Sequence, residues 1–520
     1  MRSVTGAGGQ SPAADPATPA PDRTRLLSWL AAAGIIGSIL VMIAASALRN
    51  SWNSPVLRLP AWGLPWGVQS APVSVGAWTV ALWIAVLAGA GGVIAGLVAV
   101  RRGARPSIRA LFIAAALAVV ALTVLPVAGS NDALDYAAYG RIVALGHNPY
   151  VMTPAHLQRM HNAFASSVPG PWRDFVSVYG PLATLEQFLA AKLGGLSAAR
   201  ITFWLKLWNS IAFALVAFVA DRLLRDDPAR RLRAHLLWTI NPLLLWDVVA
   251  AGHLDVLAAA AGLLGLLALG RHAEDAPPPL LRVMAAGALI GVAADVKVNY
   301  VLFGLAAAWV LRRSLVSLAA GAAAGLVVLA PGYAWFGVPA VHSLVARRNG
   351  VSADTFYRFL SVAPLRPFIG PVAVLLVIAV AVLVFRHLPA AVPGRPAVQI
   401  ALVLSVAWLF LWPYQYPWYD AMIICLLVLY PASRLDWLVL GRLAAATLAN
   451  VPGNPNAQLN WLIGGIHHGI VQGVAPVVLL AAAAGLVWLC RTGRWDLHDP
   501  GGPPGAAPQA GRLMRSPATT

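Results

Sequence analysis

One short polar stretch of the sequence carries four side chains that could do acid–base or carbohydrate chemistry. Asp132, Asp135, Tyr136 and Tyr139 stand at positions i, i+3, i+4 and i+7, which places them on one face if the stretch is helical. A carboxylate on that face could act as a general base toward a hydroxyl group. The same residues also fit a structural role, in which Asn131 or Asp132 only caps the helix and Asp135 is solvated.

Three cationic residues could bind an anion. Lys297 lies inside an apolar stretch, where an ionisable group is by default a candidate for function, although Asp295 could simply be its ion-pair partner. Arg347 and Arg348 belong to a loop that we expect on the outer face, against the usual bias of positive charge toward the cytoplasm. Arginine forks that hold an anionic substrate would explain this charge, and contact with lipid headgroups would explain it equally well.

Further polar and aromatic residues lie at the predicted outer ends of spans. His253 and Asp255 share a tight turn, and His467 is followed directly by His468. Neither group has a third ligand at a suitable spacing, so no metal site is predicted. The aromatic run at residues 413–420 suits the ring of a sugar, but it suits the interfacial belt of a membrane protein equally well.

The composition shows what must position these side chains. Hydrophobic residues make up 59% of the 520 residues, charged residues 11%, and the mean hydropathy is +0.73. A soluble domain carries about 25% charged residues, and a membrane span needs about 20 consecutive apolar ones. Five runs of sufficient length contain no Asp, Glu, Lys or Arg: residues 26–47, 59–100, 314–346, 397–419 and 443–489. The sequence therefore predicts an all-α, polytopic transmembrane bundle of about 12–14 spans.

The net charge of +18 does not indicate nucleic acid in such a chain. Arginines cluster in short loops between the apolar runs, as in proteins whose topology follows the positive-inside rule. The two cysteines, Cys425 and Cys490, both lie in apolar runs and cannot build a disulfide framework or a metal cluster. Membrane lipids, and no nucleic acid, are the partners that the composition predicts.

The chain divides into one membrane domain and two tails. We predict disordered cytoplasmic tails at residues 1–24 and 492–520, because both are rich in Pro, Ala and Gly. Residues 25–491 form the transmembrane domain, with extracytoplasmic loops at about 128–197 and 337–367.

Two stretches of this domain depart from simple spans. Residues 283–311 carry polar residues in their middle and are short for two spans, so we predict a broken or re-entrant hairpin. Residues 182–193 are amphipathic and suit a helix that lies in the membrane interface.

Several motifs, taken in order, resemble a known family. They are the acidic stretch 132–140, Gly146-His147-Asn148-Pro149-Tyr150, Tyr179-Gly180-Pro181, Asn241-Pro242, Ala251-Gly252-His253-Leu254-Asp255, Val296-Lys297 and Pro417-Trp418-Tyr419. Together they resemble the actinobacterial polyprenol-phosphate-mannose-dependent α-1,6-mannosyltransferases of the MptA/MptB type, within the GT-C superfamily. The chain departs from the family pattern at Asn148, at Leu254 and between Asp132 and Tyr136, which bears on the acceptor and the linkage more than on the reaction class.

The resemblance implies an inverting transferase that works at the outer membrane face. Asp132 by position, with Asp135 as its competitor, would be the general base on an acceptor hydroxyl. The donor would be a polyprenyl phosphate sugar, the acceptor a lipid-linked glycan, and no cofactor would be needed. The donor phosphate would be bound by Arg347, Arg348 and Lys297, with Arg141 behind them. The sugars would contact Tyr136, Tyr139, Tyr179, His253, Asp255, Trp418 and Tyr419.

Two other functions remain compatible with the sequence. A transporter or lipid flippase would place ionisable groups near the bilayer midplane and in symmetric halves, whereas here the acidic residues gather at one predicted outer face and no internal repeat is visible. A transferase that uses another polyprenyl-linked sugar would share every motif above.

Overall fold

The structure of this chain is a computed structural model. It describes residues 21–47, 59–68, 73–160, 172–270, 278–345, 350–362, 364–389, 392, 395–453 and 458–497. Within these ranges every regular element is a helix, so the predicted all-α fold is confirmed.

Twenty α-helices follow one another in the described residues. They are α1 (Pro21–Ala47), α2 (Val75–Arg101), α3 (Ile108–Val124), α4 (Asp132–Ala144), α5 (Pro154–Arg159), α6 (Pro181–Gly194), α7 (Ala198–Leu223), α8 (Pro228–Ala234), α9 (Pro242–Leu244), α10 (Asp255–Ala268), α11 (Leu280–Val296), α12 (Val301–Leu311), α13 (Leu315–Phe336), α14 (Val338–Val345), α15 (Ile369–His387), α16 (Pro396–Leu411), α17 (Ala421–Leu427), α18 (Leu435–Asn450), α19 (Trp461–Gly469) and α20 (Ala475–Thr492). Short π-helical turns flank α9 and link α19 to α20, and 3₁₀ turns precede α12, α15 and α17.

Six of the described helical stretches are long and apolar enough to cross a membrane. They are Arg23–Ala47, Val75–Arg101, Ala198–Leu223, Leu315–Phe336, Arg366–His387 and Trp461–Thr492. A seventh candidate is the pair Pro228–Ala250 and Asp255–Ala268, which bends by 112° at the break between its two parts. The chain is thus a multi-pass membrane protein by length and composition. The predicted 12–14 spans exceed this count because several of them are shorter helices, such as Ile108–Val124 and Pro396–Leu411.

Both predicted tails are shorter than the sequence suggested. Helix α1 already begins at Pro21, and the part of the first tail before it lies outside the described residues. At the other end the chain folds back after α20: Trp495 is buried, and its carbonyl accepts a hydrogen bond from the backbone N–H of Arg434 at 3.0 Å. Burial of the large indole ring explains why this segment packs on the bundle instead of extending into solvent.

The predicted interruption within residues 283–311 is present and falls at Lys297. Helix α11 ends at Val296, Lys297 is extended (φ −150°), and a 3₁₀ turn at Val298–Tyr300 leads into α12. A break frees backbone groups that a membrane interior cannot satisfy unless protein covers them. Lys297 and Tyr300 are buried there, whereas Val298 is 44% exposed, so one side of the interruption is covered by protein and the other is open.

Helix α6 is amphipathic as predicted, but its polar face does not meet solvent. Its outward side chains are Leu185, Leu189 and Leu193, whereas Thr184, Glu186 and Gln187 are buried. The side-chain amide of Asn209 in α7 donates to Glu186 Oε1 at 3.3 Å, and burial raises the pKa of Glu186 to about 8. The polar face therefore packs against the bundle, and the leucine face is left for lipid.

Close contact between α4 and α6 depends on a glycine. A Cβ atom at Gly140 would lie only 2.0 Å from the carbonyl oxygen of Gln187. Because that neighbour is backbone, a side chain at position 140 cannot be accommodated without moving one helix away from the other. The position of α4, which carries Asp132, is set partly by this contact.

We expect Gly140→Ala to lower the stability of the protein, because overpacking a tight contact costs about 1–3 kcal/mol. Gly441→Ala is the matched control: Gly441 is also helical, and a Cβ atom there would meet nothing within 4 Å. Alanine is the better helix former by about 1 kcal/mol, so the control should melt at the same temperature or higher. Thermal unfolding of both purified variants, followed by tryptophan fluorescence, measures the difference, and equal melting temperatures would contradict the α4–α6 contact.

Candidate active site

Side chains from separate segments of the chain meet around Asp132. The hydroxyl of Tyr136, one turn further along α4, lies 3.1 Å from Nδ1 of His253 and 3.4 Å from the hydroxyl of Tyr179. The same Nδ1 lies 3.9 Å from Oδ2 of Asp132. Three motifs that are far apart in the sequence therefore form one cluster, and Lys297 joins it through Asp255.

A buried ion pair forms the cationic part of this cluster. Nζ of Lys297 lies 2.6 Å from both carboxylate oxygens of Asp255 and 3.9 Å from the centroid of the Tyr419 ring. The hydroxyl of Tyr300 donates to the carbonyl of Asp255 at 2.9 Å. The ammonium group is thus held by one carboxylate and by the face of one aromatic ring.

The alternative pairing of Lys297 with Asp295 is wrong. Oδ2 of Asp295 instead accepts a hydrogen bond from the backbone N–H of Leu182 at 3.0 Å, in the first turn of α6. The reason is the break in the backbone at Lys297, since the chain leaves the helical conformation between these two residues and their side chains reach different elements.

Three aromatic rings form a continuous stack at the edge of the cluster. The rings of Tyr416 and Trp418 are parallel, with centroids 4.7 Å apart, and Trp418 stacks on His253 at 3.6 Å. Both faces of Trp418 are covered in this stack and the residue is 4% exposed, so the partly exposed Tyr416 at the end of the stack is the ring that a sugar could reach. Trp418 and Tyr419, which the sequence proposed for sugar contact, therefore do lie beside Asp132 and Lys297.

Asp132 is the more exposed of the two candidate bases. Its side chain is 19% exposed, and its backbone N–H donates to Ser130 Oγ at 3.2 Å. Burial raises the pKa of Asp132 to about 6; the nearby Lys297 ammonium lowers this pKa, and the Asp255 carboxylate raises it. A carboxyl group with this pKa is ionised at neutral pH and still basic enough to take a proton.

The predicted capping role of Asn131 and Asp132 is not found. Asn131 occupies the cap position of α4, but its side chain makes no capping hydrogen bond, and Asp132 is the first residue of the helix. Asp132 therefore has no capping function that would explain its presence at this position.

Asp135 is placed differently from Asp132. Its residue is only 5% exposed, and its Oδ1 atom is buried without a hydrogen-bond partner. Burial first, and the negative charge of Asp132 second, raise the pKa of Asp135 well above its usual value. Burial and the neighbouring charge thus disfavour the ionised form of Asp135, which makes it the poorer candidate for the base.

Four predicted site residues lie outside this cluster or cannot be placed in it. The hydroxyl of Tyr139 donates to the carbonyl of Phe175 at 3.1 Å, which fixes a loop. Arg141 lies nine residues after Asp132 on the same helix, roughly 13 Å further along its axis. Arg347 and Arg348 lie outside the described residues.

Two of the sequence motifs build the support of the site. Asn148 Oδ1 accepts from the N–H of Tyr150 at 2.9 Å, and the Tyr150 hydroxyl donates to the carbonyl of Tyr179 at 2.8 Å. A Cβ atom at Gly180 would lie 1.8 Å from the carbonyl oxygen of Asp295, so only glycine allows this approach. These contacts place Tyr179 against Tyr136.

A buried arginine that the sequence did not single out holds the aromatic segment. Arg442 of α18 donates to Asp420 Oδ2 and to Gln415 Oε1, and its Nε donates to the carbonyl of Leu409 at 3.3 Å. Ser352 adds a second attachment, since its Oγ donates to the carbonyl of Gln415 at 2.8 Å. The segment with Trp418 and Tyr419 is therefore fixed at both of its ends.

One sequence signal could have found this arginine. Arg442 and Asp420 are isolated charges within apolar stretches, and charges at such depth are almost always paired. Sequence spacing alone could not have paired them, because they are 22 residues apart and on different helices. In the described part of the chain, no three His, Cys, Asp or Glu side chains come close enough together to hold a metal ion.

The fold and the site together define a helical, multi-pass membrane protein. Its site has an accessible carboxylate beside a buried ion pair and a stack of aromatic rings. Residues 31–313 match the family described as alpha-(1->6)-mannopyranosyltransferase, N-terminal domain. The chain belongs to this family, and the resemblance drawn from the sequence motifs is confirmed. The matched region contains Asp132, His253, Asp255 and Lys297, whereas Trp418 and Arg442 lie beyond it.

Two curated relatives are similar over a limited part of their length. A probable alpha-(1->6)-mannopyranosyltransferase of Mycolicibacterium smegmatis is 32% identical over 167 residues, which are 31% of this chain and 29% of the relative. An alpha-(1->6)-mannopyranosyltransferase of Mycobacterium tuberculosis is 29% identical over 149 residues, 29% of this chain and 24% of the relative. The matches thus span less than a third of either relative.

Two solved structures are similar at lower identity. ArnT from Cupriavidus metallidurans bound to undecaprenyl phosphate is 20% identical, with a TM-score of 0.38 over 74% of this chain and 72% of ArnT. The same protein in the apo state is 18% identical, with a TM-score of 0.37 over 74% and 76%. Both TM-scores are low.

We expect Arg442→Met to destabilise the protein strongly, because it leaves Asp420 and Gln415 buried without their partner. Removing one partner of a buried ion pair costs about 3–5 kcal/mol. Arg225→Met is the matched control, since Arg225 and Asp226 form an ion pair with side chains that are 64% and 90% exposed. Such a surface pair contributes about 0–1 kcal/mol. Denaturant or thermal unfolding in detergent compares the two, and an equally small effect of both substitutions would show that Arg442 does not hold the aromatic segment.

Proposed function

We propose that this protein is a membrane glycosyltransferase that moves mannose from a polyprenyl phosphate carrier to a lipid-linked glycan. The observation that carries the proposal is the convergence of an accessible carboxylate, a buried cation and stacked aromatic rings in one cluster. Transfer of a sugar needs a base for the acceptor, positive charge for the leaving phosphate and a surface for the sugar ring. Asp132 meets the first requirement and the aromatic segment offers the third, while Lys297 lies beside them in an ion pair.

Asp132 acts as the general base in this proposal. Its carboxylate takes the proton of an acceptor sugar hydroxyl while that oxygen attacks the anomeric carbon of the donor. The bond between the anomeric carbon and the phosphate oxygen breaks, and the phosphate leaves with the electron pair. Attack from the opposite side inverts the configuration, so a β-linked donor gives an α-linked product. Asp132 is favoured over Asp135 because it is more exposed and because burial raises the pKa of Asp135 and disfavours its ionised form.

The leaving phosphate needs no general acid, but it needs positive charge. The Lys297 ammonium has three N–H donors, and its contacts with Asp255 leave capacity for one phosphate oxygen. The ion pair with Asp255 is neutral as a unit, so the net positive charge has to come from elsewhere. We assign that role to Arg347 and Arg348, which precede Ser352, the residue attached to the aromatic segment.

The sugar, the linkage and the location follow from the family and from the charge pattern. The relatives are described as alpha-(1->6)-mannopyranosyltransferases, which supports mannose and an α-1,6 linkage in a cell-envelope glycan. Arginine clusters at residues 101–109 and 222–233 mark cytoplasmic ends by the positive-inside rule. The active site then lies on the extracytoplasmic face of the cell membrane, where lipid-linked donor and acceptor are both available.

Asp132→Asn should lose nearly all transfer activity, because loss of a general base typically costs about 10²–10⁴-fold in rate. Asp135→Asn should retain most of it, since asparagine replaces a neutral carboxyl of similar size. The assay measures transfer of radiolabelled mannose from polyprenyl phosphate mannose to lipid-linked acceptor by the purified enzyme in lipid. The kcat/KM of the wild type should fall as the pH drops below about 6, because Asp132 becomes protonated there.

Three outcomes would count against the proposal. If Asp132→Asn is active and Asp135→Asn is inactive, then Asp135, and not Asp132, is the general base. Full activity of both variants would remove the glycosyltransferase mechanism proposed for this cluster. No transfer by the wild type from mannose, glucose or arabinose donors would leave a transporter as the better interpretation.

Cysteines introduced at Val151 and Phe359 should react with a membrane-impermeant thiol reagent in intact cells. Both side chains are well exposed, at 62% and 60%, and both lie in predicted extracytoplasmic loops. A cysteine at Arg225, beside the second arginine cluster, is the control and should react only after lysis. Cys425 and Cys490 are both buried and would be replaced by serine first. The reverse labelling pattern would place the site on the cytoplasmic face.

A further inference from the structure

Lys206 is a fully buried cation whose hydrogen bonds go to backbone carbonyls. It lies in α7 and is 0% exposed. Its Nζ donates to the carbonyl of Leu122, to that of Leu125 at 2.8 Å and to that of Pro126 at 3.2 Å. Burying a charge costs free energy unless its donors are satisfied, and here three carbonyls satisfy the three donors.

The carbonyl of Leu122 lies in the last turn of α3, and those of Leu125 and Pro126 directly follow the helix. The last four carbonyls of a helix have no partner within the helix, and a cation near them is also favoured by the helix dipole. Helix α3 ends at Val124, and Asp132 follows eight residues later. Lys206 therefore fixes the point from which the chain runs to the proposed base.

The segment from Pro126 to Asp132 is held in place by further contacts. The N–H of Ala128 donates to the carbonyl of Ala250 at 3.1 Å, and the side-chain amide of Asn450 donates to the carbonyl of Gly129 at 3.0 Å. Gly129 has φ +86°, and a Cβ atom there would lie 2.9 Å from the ring of Trp246. The chain between Pro126 and Asp132 is therefore held at several points, and Lys206 holds its first part.

The aliphatic part of Lys206 also touches the second segment that bears site residues. A Cβ atom at Gly252 would lie 2.9 Å from Cγ of Lys206 and 3.6 Å from Cβ of Ala133. Gly252 belongs to the turn that carries His253 and Asp255, and Ala133 directly follows Asp132. One side chain thus contacts the turn with its stem and holds the chain before Asp132 with its ammonium group.

We propose that Lys206 is a positioning residue for the transfer reaction, which sets the distance between Asp132 and the turn that carries His253 and Asp255. The proposal rests on the proposed function, because the distance matters only if Asp132 reacts with a substrate held beside that turn. Lys206 itself touches neither donor nor acceptor. Its effect is on the geometry of the base, and a displacement of about 1 Å at a reacting group can cost about 10²-fold in rate.

The test compares Lys206→Met with Lys192→Met. Methionine keeps an unbranched stem but donates no hydrogen bond. Lys192 is an exposed lysine at the end of α6, so its replacement controls for the loss of one lysine. We expect Lys206→Met to lower kcat by about 10²-fold with the KM for polyprenyl phosphate mannose within about twofold of the wild type, and Lys192→Met to leave both unchanged. The assay is run below the melting temperature of each variant.

A double-mutant cycle separates positioning from loss of stability. Gly252→Ala presses on the same lysine stem and leaves the charge of Lys206 intact. Because Gly252 has φ +71°, the alanine also strains the turn, but a strain that does not involve Lys206 is additive and cancels in the cycle. If both substitutions act through one contact, their effects on kcat should be clearly non-additive in Lys206→Met/Gly252→Ala. Additive effects, or a loss of activity that is fully restored at temperatures where the variant is folded, would reduce Lys206 to a stabilising residue and overturn the proposal.

Hydrogen exchange gives a readout that does not depend on activity. In Lys206→Met we expect faster amide exchange in peptides that cover residues 122–134 and 250–255, with α1 and α2 unchanged. Unchanged exchange in the first two peptides, or a uniform increase over the whole protein, would contradict the proposal. If the wild type transfers no sugar but Lys206→Met shows the local change in exchange, the proposed function is rejected. The structural link between the two segments would still hold.

Discussion

The ion pair between Lys297 and Asp255 is the constraint on which the site depends. A cation in an apolar bundle must be paired, because an isolated buried charge is very costly. Asp255 meets this need with both carboxylate oxygens at 2.6 Å, and the Tyr419 ring covers the ammonium group. Because Asp255 neutralises Lys297, Asp132 is not needed as an ion-pair partner, and the Asp132 carboxylate stays accessible. The same pair fixes the break between α11 and α12 next to the turn before α10.

The residues around this pair divide into those that form the cluster and those that hold it in place. Asp132, Lys297, Trp418 and the ring of His253 lie in one cluster. Arg442, Tyr150 and Asp295 hold the segments from which the cluster is built, through contacts with Gln415, Tyr179 and Leu182. This division explains why several motifs of the resemblance are glycines and prolines. At Gly180 the requirement is the approach of the backbone to Asp295, and no chemistry of the glycine is involved.

The proposed transfer depends on how charge is distributed in this site. Phosphate is a good leaving group, so the protein has to supply orientation, one base and compensating charge. The charge is unevenly distributed: the Lys297–Asp255 pair is neutral as a unit, and burial raises the pKa of Asp135 and disfavours its ionised form. Asp132 is then the negative group available to a substrate beside the ion pair. The proposed roles of Arg347 and Arg348 complete this distribution with positive charge at the donor phosphate.

The sequence by itself determined the class of the protein and the identity of most site residues. Composition fixed the membrane-spanning all-α fold because 11% charged residues cannot cover a soluble surface, and the break at Lys297 was readable from polar residues inside an apolar stretch. Motif order indicated the family and brought Asp132, His253, Asp255, Lys297 and Trp418 together as candidates. The sequence could not show which of these residues contact each other. It suggested Asp295 as the ion-pair partner of Lys297 and a capping role for Asp132, and it did not single out Arg442. These outcomes depend on contacts between residues 22 to 113 positions apart, and only the packing of the helices brings such residues within hydrogen-bond distance. The difference between Asp132 and Asp135 was likewise decided by tertiary structure, because burial, which neither spacing nor residue type reveals, sets which carboxyl group remains exposed.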